Sequence, residues 1–228
     1  MLLLVTDTSG KHGSVGLVRA VDTSEAAGIQ LIESVPLAGG TFSAQLVPQI
    51  SGLLAKHGLS KHDLDVFVVI SGPGSFTGLR VGLAAIKALA EILQKPVVPV
   101  SLLEVVAVTA GVEGNVLAAL DAGRGEIYVG EYQVRRDGIR ARNEQLVPRS
   151  DLSSAARGFV LSTPDPGLAD LAQQVGLHVR LVAPGADAIA KVGYRKLQAG
   201  ETVTPEQLEA NYIRRSDAEI FSKPRPGS

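Results

Sequence analysis

Residues 71–80 read SGPGSFTGLR, with three glycines and a proline between the apolar run VFVVI (66–70) and the segment VGLAAIKALAEIL (81–93). A glycine-rich turn from strand to helix is where many α/β proteins hold phosphate, so the type of turn constrains the architecture around it. A Walker loop needs lysine and a hydroxyl directly after its last glycine, whereas Gly78 is followed by Leu79 and Arg80. A dinucleotide fingerprint requires G-x-G-x-x-G, and Gly72, Gly74 and Gly78 are spaced one residue too widely. What fits is a turn in which Gly72 and Gly74 bend the chain while Ser75 or Thr77 caps the following helix. A direct ligand site at that helix start, with Arg80 one turn on, stays open beside the purely structural turn.

The helix after the turn is more informative. At 100° per residue Arg80, Ala84, Lys87 and Glu91 share one narrow stripe, and the rest of the segment to Leu93 is apolar or glycine. The opposite face carries Gly78, Gly82, Ala85 and Leu89, small enough for another helix to approach closely. A second helix is expected from about Ser43 to His57, where Leu46, Ile50 and Leu53 recur at helical spacing and Pro48 marks either a kink or the first turn. Sheet and neighbouring helix inside one monomer could cover these faces, or the two helices could form a partner surface.

Outward from there, LLLVTDTSGKHGSVGLVRA (2–20) reads as two strands and a turn, IQLIESV (29–35) as a third strand, and PVVPV (96–100) as a short strand. Residue 116 begins the pattern again. VLAALDAGRGEIYVGEYQV repeats a strand ending in aspartate, a glycine-bearing turn and a second strand, with GIRARNEQLV (138–147) as its third strand. The expected architecture is therefore two related α/β halves with mixed sheets, residues 1–104 and 105–213, followed by a polar, partly disordered tail from 214 to 228.

The chain has 228 residues, 22 basic and 23 acidic, so composition gives no broad grip on nucleic acid or anionic lipid. It has no cysteine, which excludes disulfides and thiolate chemistry. The apolar run at the start meets Asp7 too early for a signal peptide, and no run has the roughly 20 apolar residues of a membrane span, so a cytoplasmic location is expected. Asp7 and Asp121 close the first strand of each half, where a carboxylate either starts a turn or belongs to an ancestral site. His12, His57, His62 and His178 form no pair suited to one metal. Ser9 and Ser75 have no recognisable base, and there is no G-x-S-x-G elbow. Arg135, Arg136, Arg140 and Arg142 cluster on one hairpin, either as a solvated face or as a local contact for nucleic acid.

Four segments, LLLVTDTS, GPGSFTGLRVGLAAIKALA (72–90), LAALDAGRGEIYVGEY (117–132) and ANYIRR (210–215), resemble in order the TsaB (YeaZ) family, and they span most of the chain. The resemblance implies an actin-like ATPase (ribonuclease H-like) fold of two related halves. It implies a catalytically silent subunit that pairs with TsaD, its paralogue once described as a glycoprotease, and activates threonylcarbamoyl transfer to the adenosine next to the anticodon of transfer RNA. TsaD carries two metal-binding histidines four residues apart, and the corresponding positions here are Leu102 and Val106, which cannot ligate a cation.

The resemblance further implies pairing through the two helices of the first half, on Leu46, Ile50, Leu53, Gly78, Gly82, Ala85 and Leu89, with a homodimer through the same surface when the chain is alone. The ATPase TsaE would join the complex, which alone would contact transfer RNA. No cofactor or metal is required of this chain. ATP or ADP with magnesium would act at the level of the complex, and Asp7, Thr8, Ser9, Gly74, Ser75 and Asp121 would be a nucleotide-binding remnant. The alternative is an independent actin-like ATPase or glycoprotease-like hydrolase. Relatives commonly have histidine where this chain has Phe42, a change that makes the start of the first helix more apolar.

Overall fold

A computed structural model describes residues 1–23, 26–136 and 138–214. The run LLLVTD forms strand β1 (Leu2–Asp7), buried except at its end because it lies in the middle of a sheet covered on both faces. β2 (His12–Thr23) and β3 (Ala26–Ala38) continue it as antiparallel neighbours, while β4 (Val66–Gly72) and β5 (Val97–Ser101) join on the other side in parallel, giving the order β3-β2-β1-β4-β5.

The second half repeats this arrangement strand for strand. β6 (Gly114–Gly123) pairs antiparallel with β7 (Glu126–Arg135), which pairs with β8 (Gly138–Pro148). β9 (Val160–Thr163) and β10 (Val179–Leu181) extend the sheet in parallel from β6. The order β8-β7-β6-β9-β10 is the first sheet's order again, so the internal repeat expected from the sequence is a duplicated topology.

Helix α1 (Phe42–Lys56) keeps Pro48 inside it, on the solvent side. With α2 (Phe76–Leu93) it covers one face of the first sheet, in a core built from Leu4, Leu17, Leu46, Ile50, Phe67 and Ile86. The short helix α4 (Leu152–Ala155) and α5 (Pro166–Gln174) cover the outer face of the second sheet.

Between the sheets the two halves exchange helices. α3 (Leu102–Thr109) leaves β5 of the first sheet and packs Leu103, Val106 and Ala107 against Val116, Ala118 and Tyr132 of the second. α6 (Ala186–Gln198), the last helix of the second half, packs Ala186, Ile189, Ala190 and Tyr194 against Leu3, Val68 and Val100 of the first sheet. The expected division at residue 104/105 falls inside α3, whose Val106 and Ala107 pack on the second sheet, while α6 of the second half packs on the first. Beyond α6 the chain stays with the first sheet, where Val203 bridges to Val97 and Leu208 enters the core beside α2. Of the tail expected from 214, all but Arg214 lies outside the described residues.

A polar cluster ties the halves at this seam. The Glu144 carboxylate on β8 accepts from the hydroxyl of Ser101 at the end of β5 (2.5 Å), from the Tyr132 phenol on β7, and from the side-chain amide of Asn211 (2.8 Å). The Asn211 backbone N–H in turn donates to the carbonyl of Ser71 on β4 at 2.7 Å. Burial, reinforced by the Glu144 charge, holds the Tyr132 phenol far above its ordinary range, so it remains a donor.

Truncating the acceptor strands donors that the fold has buried. Glu144→Ala is expected to cost about 2–3 kcal/mol in urea denaturation, and Tyr132→Phe, which leaves the carboxylate two other donors, about 1 kcal/mol. A loss under about 0.5 kcal/mol in Glu144→Ala would show that the seam does not depend on this cluster.

Candidate functional site

The two first-strand turns face each other across a cleft of about 1310 Å³. Its walls are the β1–β2 turn from Ser9 to His12, the β3–α1 turn, the start of α2, the β6–β7 turn with Asp121 and Arg124, and the segment Asn211–Arg214. The glycine motif of residues 72–78 forms one wall, and its construction explains each small residue. Gly72 has φ +139°, a conformation that L side chains rarely adopt, and a Cβ there would lie 2.6 Å from the Asn211 carbonyl oxygen. Gly74 lets the turn close on β1–β2, where the Ser75 N–H donates to the Ser9 carbonyl at 2.6 Å. Ser75 is the N-cap of α2, its hydroxyl accepting from the Gly78 N–H at 3.3 Å.

Gly78 and Gly82 lie against the end of β1. A Cβ on Gly78 would be 2.1 Å from the Thr8 carbonyl oxygen, and one on Gly82 would be 2.1 Å from Thr8 Oγ1. Phe42 is buried and fills the remaining gap, its ring lying 3.2 Å from the Gly78 Cβ position and 2.9 Å from that of Gly13. The expected small-residue seam for another helix is corrected here: the glycine face receives β1 of the same chain. Leu46, Ile50 and Leu53 are likewise in the monomer core, and Ala85 and Leu89 are half-buried.

What the two helices leave to solvent is a different apolar ridge. It consists of Val47 (50% exposed) and Pro48 on α1 with Ala84, Ala88 and Ile92 (70% exposed) on α2. The sequence could identify the narrow face of α2 but not which element would fill it.

Of the six residues expected as a nucleotide-binding remnant, Ser9, Gly74, Ser75 and Asp121 line the cleft, and Asp7 and Thr8 are not among its lining residues. Asp7 Oδ1 accepts from both the N–H and the hydroxyl of Ser9, at 2.8 and 2.6 Å, and burial raises its carboxyl above the ordinary 3.8 despite those bonds. Asp121 lines the cleft and accepts from the Gly123 N–H at 3.0 Å, whereas the lining on the opposite side begins at Ser9. Among the described residues no three metal-ligating side chains gather. A metal-bound nucleotide is thus a poor fit to this donor set, because the Asp7 carboxylate is turned to Ser9 and driven towards its neutral form. At the expected histidine positions, Val106 is buried against the second sheet and Leu102 is half-buried.

The sequence gives a possible ligand role to Arg80 but none to Phe76, Tyr212 or Arg214, which close the cleft mouth with it. Tyr212 packs on Phe76 with ring centroids 5.0 Å apart, and the Arg80 guanidinium sits 3.7 Å over the Phe76 ring. Arg214 pairs with Glu126 and donates to the carbonyls of Ala122 (3.0 Å) and Gly123 (3.4 Å), fastening the strap to the second half. The motif ANYIRR contains Tyr212 and Arg214, but nothing local in it indicates what they touch. The hairpin arginines Arg135, Arg136, Arg140 and Arg142 are exposed, and Arg136 pairs with Glu113.

A family profile described as TsaD, tRNA N6-adenosine threonylcarbamoyltransferase, matches residues 36–194. The Bacillus subtilis (strain 168) protein named tRNA threonylcarbamoyladenosine biosynthesis protein TsaB is 29% identical over 209 residues, covering 91% of this chain and 85% of that one. Two solved structures from Pseudomonas aeruginosa are similar throughout. A protein described as similar to peptidase YeaZ has a TM-score of 0.76 at 28% identity, covering 93% of this chain and 99% of its own. YeaZ has a TM-score of 0.71 at 27% identity, covering 92% and 100%.

Two outcomes test this geometry. Gly78→Ala should destabilise by about 2–3 kcal/mol in chemical denaturation, since a backbone carbonyl must move, while Gly52→Ala on open α1 surface should gain about 0.5–1 kcal/mol. For Asp7 the folded carboxyl lies above its unfolded value, so its ionisation costs stability as pH rises from 3.8 through the raised folded value. Asp7→Asn should therefore melt higher than the parent at pH 7, with the gap narrowing as pH falls towards 3.8. A constant gap would contradict the assigned cause.

Proposed function

The chain belongs to the TsaB (YeaZ) family, and on that footing we propose that it is the non-catalytic subunit that binds and activates a TsaD-type threonylcarbamoyltransferase in transfer-RNA threonylcarbamoyladenosine biosynthesis. The observation that carries this reading is the apolar ridge of α1 and α2, with Ile92 70% and Val47 50% exposed in the isolated chain. Isolated exposed apolar residues are ordinary, but a row of three along α2, with two more on the α1 helix packed beside it, is a surface suited to another helical pair. Ala84 and Ala88 keep it low, so a partner's side chains can reach the helix backbone.

The ridge explains the division of labour. The chain brings a rigid docking face, and the transfer chemistry belongs to the partner. ATP or ADP with magnesium act in the assembled complex with a TsaE-type ATPase, and transfer RNA is modified there. In the absence of the partner the same ridge closes on a second copy of the chain. An independent ATPase or hydrolase role finds no support in the donor set of the cleft, where Asp7 is bound to Ser9.

Ala88→Arg and Ile92→Glu should each weaken binding to a TsaD-type partner at least tenfold by titration calorimetry, and lower threonylcarbamoylation of transfer RNA in a mixture with partner, TsaE-type ATPase and ATP. Their melting temperatures should stay within about 2 °C of the parent, because both side chains point away from the core. Undiminished partner binding in both variants would refute the proposed surface.

A further inference from the structure

The chain has nine aromatic residues, five phenylalanines and four tyrosines. Among the described residues only two of them are exposed, Phe76 (36%) and Tyr212 (39%), and these two lie on each other at the mouth of the inter-half cleft. Arg80 caps one side of the pair, 3.7 Å over the Phe76 ring. Leaving two large rings more than a third exposed beside one another forgoes burial that the fold achieves almost everywhere else.

The surroundings are basic. Lys11, Arg80, Arg124 and Arg214 line the cleft against the single carboxylate of Asp121, although the chain as a whole is almost neutral. Arg214 is committed to Glu126, and Lys11 and Arg80 are exposed at the rim. The Ser75 and Thr77 side chains, also exposed at the start of α2, add hydroxyls to the same rim. Exposed aromatic faces flanked by lysine and arginine are what holds an unstacked base with its phosphates, and they suit single strands, since paired bases offer no free face.

We propose that this mouth, centred on Tyr212 with Phe76, Arg80, Lys11 and Arg124, contacts a single-stranded stretch of RNA. The identification of that RNA as the loop of a substrate transfer RNA rests on the function proposed above. Tyr212 stacks on a base, the Arg80–Phe76 pair supports the tyrosine from behind, and Lys11 and Arg124 meet the adjoining phosphates. The geometry favours this place over the arginine hairpin of β7 and β8. The hairpin holds only charge, with Arg136 already paired to Glu113, and it has no exposed ring.

The test is fluorescence anisotropy of a dye-labelled anticodon stem-loop with an unmodified adenosine beside the anticodon, titrated with the full-length chain at several salt concentrations. A fully paired RNA of equal length and free ATP serve as competitors. The stem-loop should bind, with affinity falling as salt rises, and the duplex should compete poorly. Tyr212→Ala should bind about tenfold more weakly and Tyr212→Phe nearly as well as the parent. Lys11→Glu should lower the salt slope by about one, and the paired change Arg140→Glu with Arg142→Glu should leave binding unaltered.

The proposal is overturned if the stem-loop does not bind, if Tyr212→Ala binds like the parent, if the hairpin variant abolishes binding, or if duplex or ATP displaces the loop as well as the loop itself. Partner binding measured on the same Tyr212→Ala protein keeps the two readings apart. Retained partner affinity with lost RNA affinity supports this site, whereas RNA affinity unchanged beside normal partner binding removes this inference and leaves the α1–α2 docking surface standing.

Discussion

The structure depends on one close approach, that of Thr8 to the first turns of α2. A β-carbon at Gly78 or Gly82 would sit 2.1 Å from Thr8 atoms, so α2 can lie on the end of β1 only because those positions are bare. From that contact the rest follows. The turn at Gly72–Ser75 must close tightly enough to bring α2 down, and the Ser75 N–H finds its acceptor on Ser9 rather than on a ligand. Phe42 then fills the space left between Gly13 and Gly78, which fixes where α1 begins. A motif that looks like a phosphate cradle is in this chain a way of packing backbone against backbone.

The second organising feature is the exchange of α3 and α6 between the sheets. Each half, taken alone, would expose the face its partner's helix covers, and neither core closes without the other. The Glu144 cluster and the strap ending at Arg214 lie on this seam, where a chain that had merely duplicated a domain would have a cleft free to open. Holding a half-buried carboxylate there without a cation is costly unless its oxygens are filled, and Ser101, Tyr132 and Asn211 fill them from three separate parts of the chain.

Much of this was legible in the sequence. Alternation and β-branched runs located the strands, the helical period found α1 and α2 nearly to the residue, and the echo of residues 2–18 after 116 anticipated the shared topology. What failed was any step that needed a partner for a face. Periodicity marks Gly78 and Gly82 as a narrow face, but Thr8 and a second helix satisfy the same pattern. Local amphipathicity predicts that α3 and α6 bury a side without saying against which sheet. The pairing of Tyr212 with Phe76 joins residues far apart in the chain, and neither carries a local signal of it.

These constraints bear on how α2 can serve a partner. The helix is held beneath by Thr8, beside by α1, and along its length by the returning strap, with Lys87 Nζ donating to the Glu206 carbonyl at 3.3 Å and Tyr212 on Phe76. A helix pinned on three sides loses little further freedom when its fourth is covered. The cost of ordering the proposed docking surface has already been met in folding, so a partner on the ridge of Val47, Ala84, Ala88 and Ile92 would need only modest area and few polar contacts. The glycine face and the exposed apolar row thus belong to one requirement: α2 must be bare of side chains where it meets Thr8 for its solvent side to be held still.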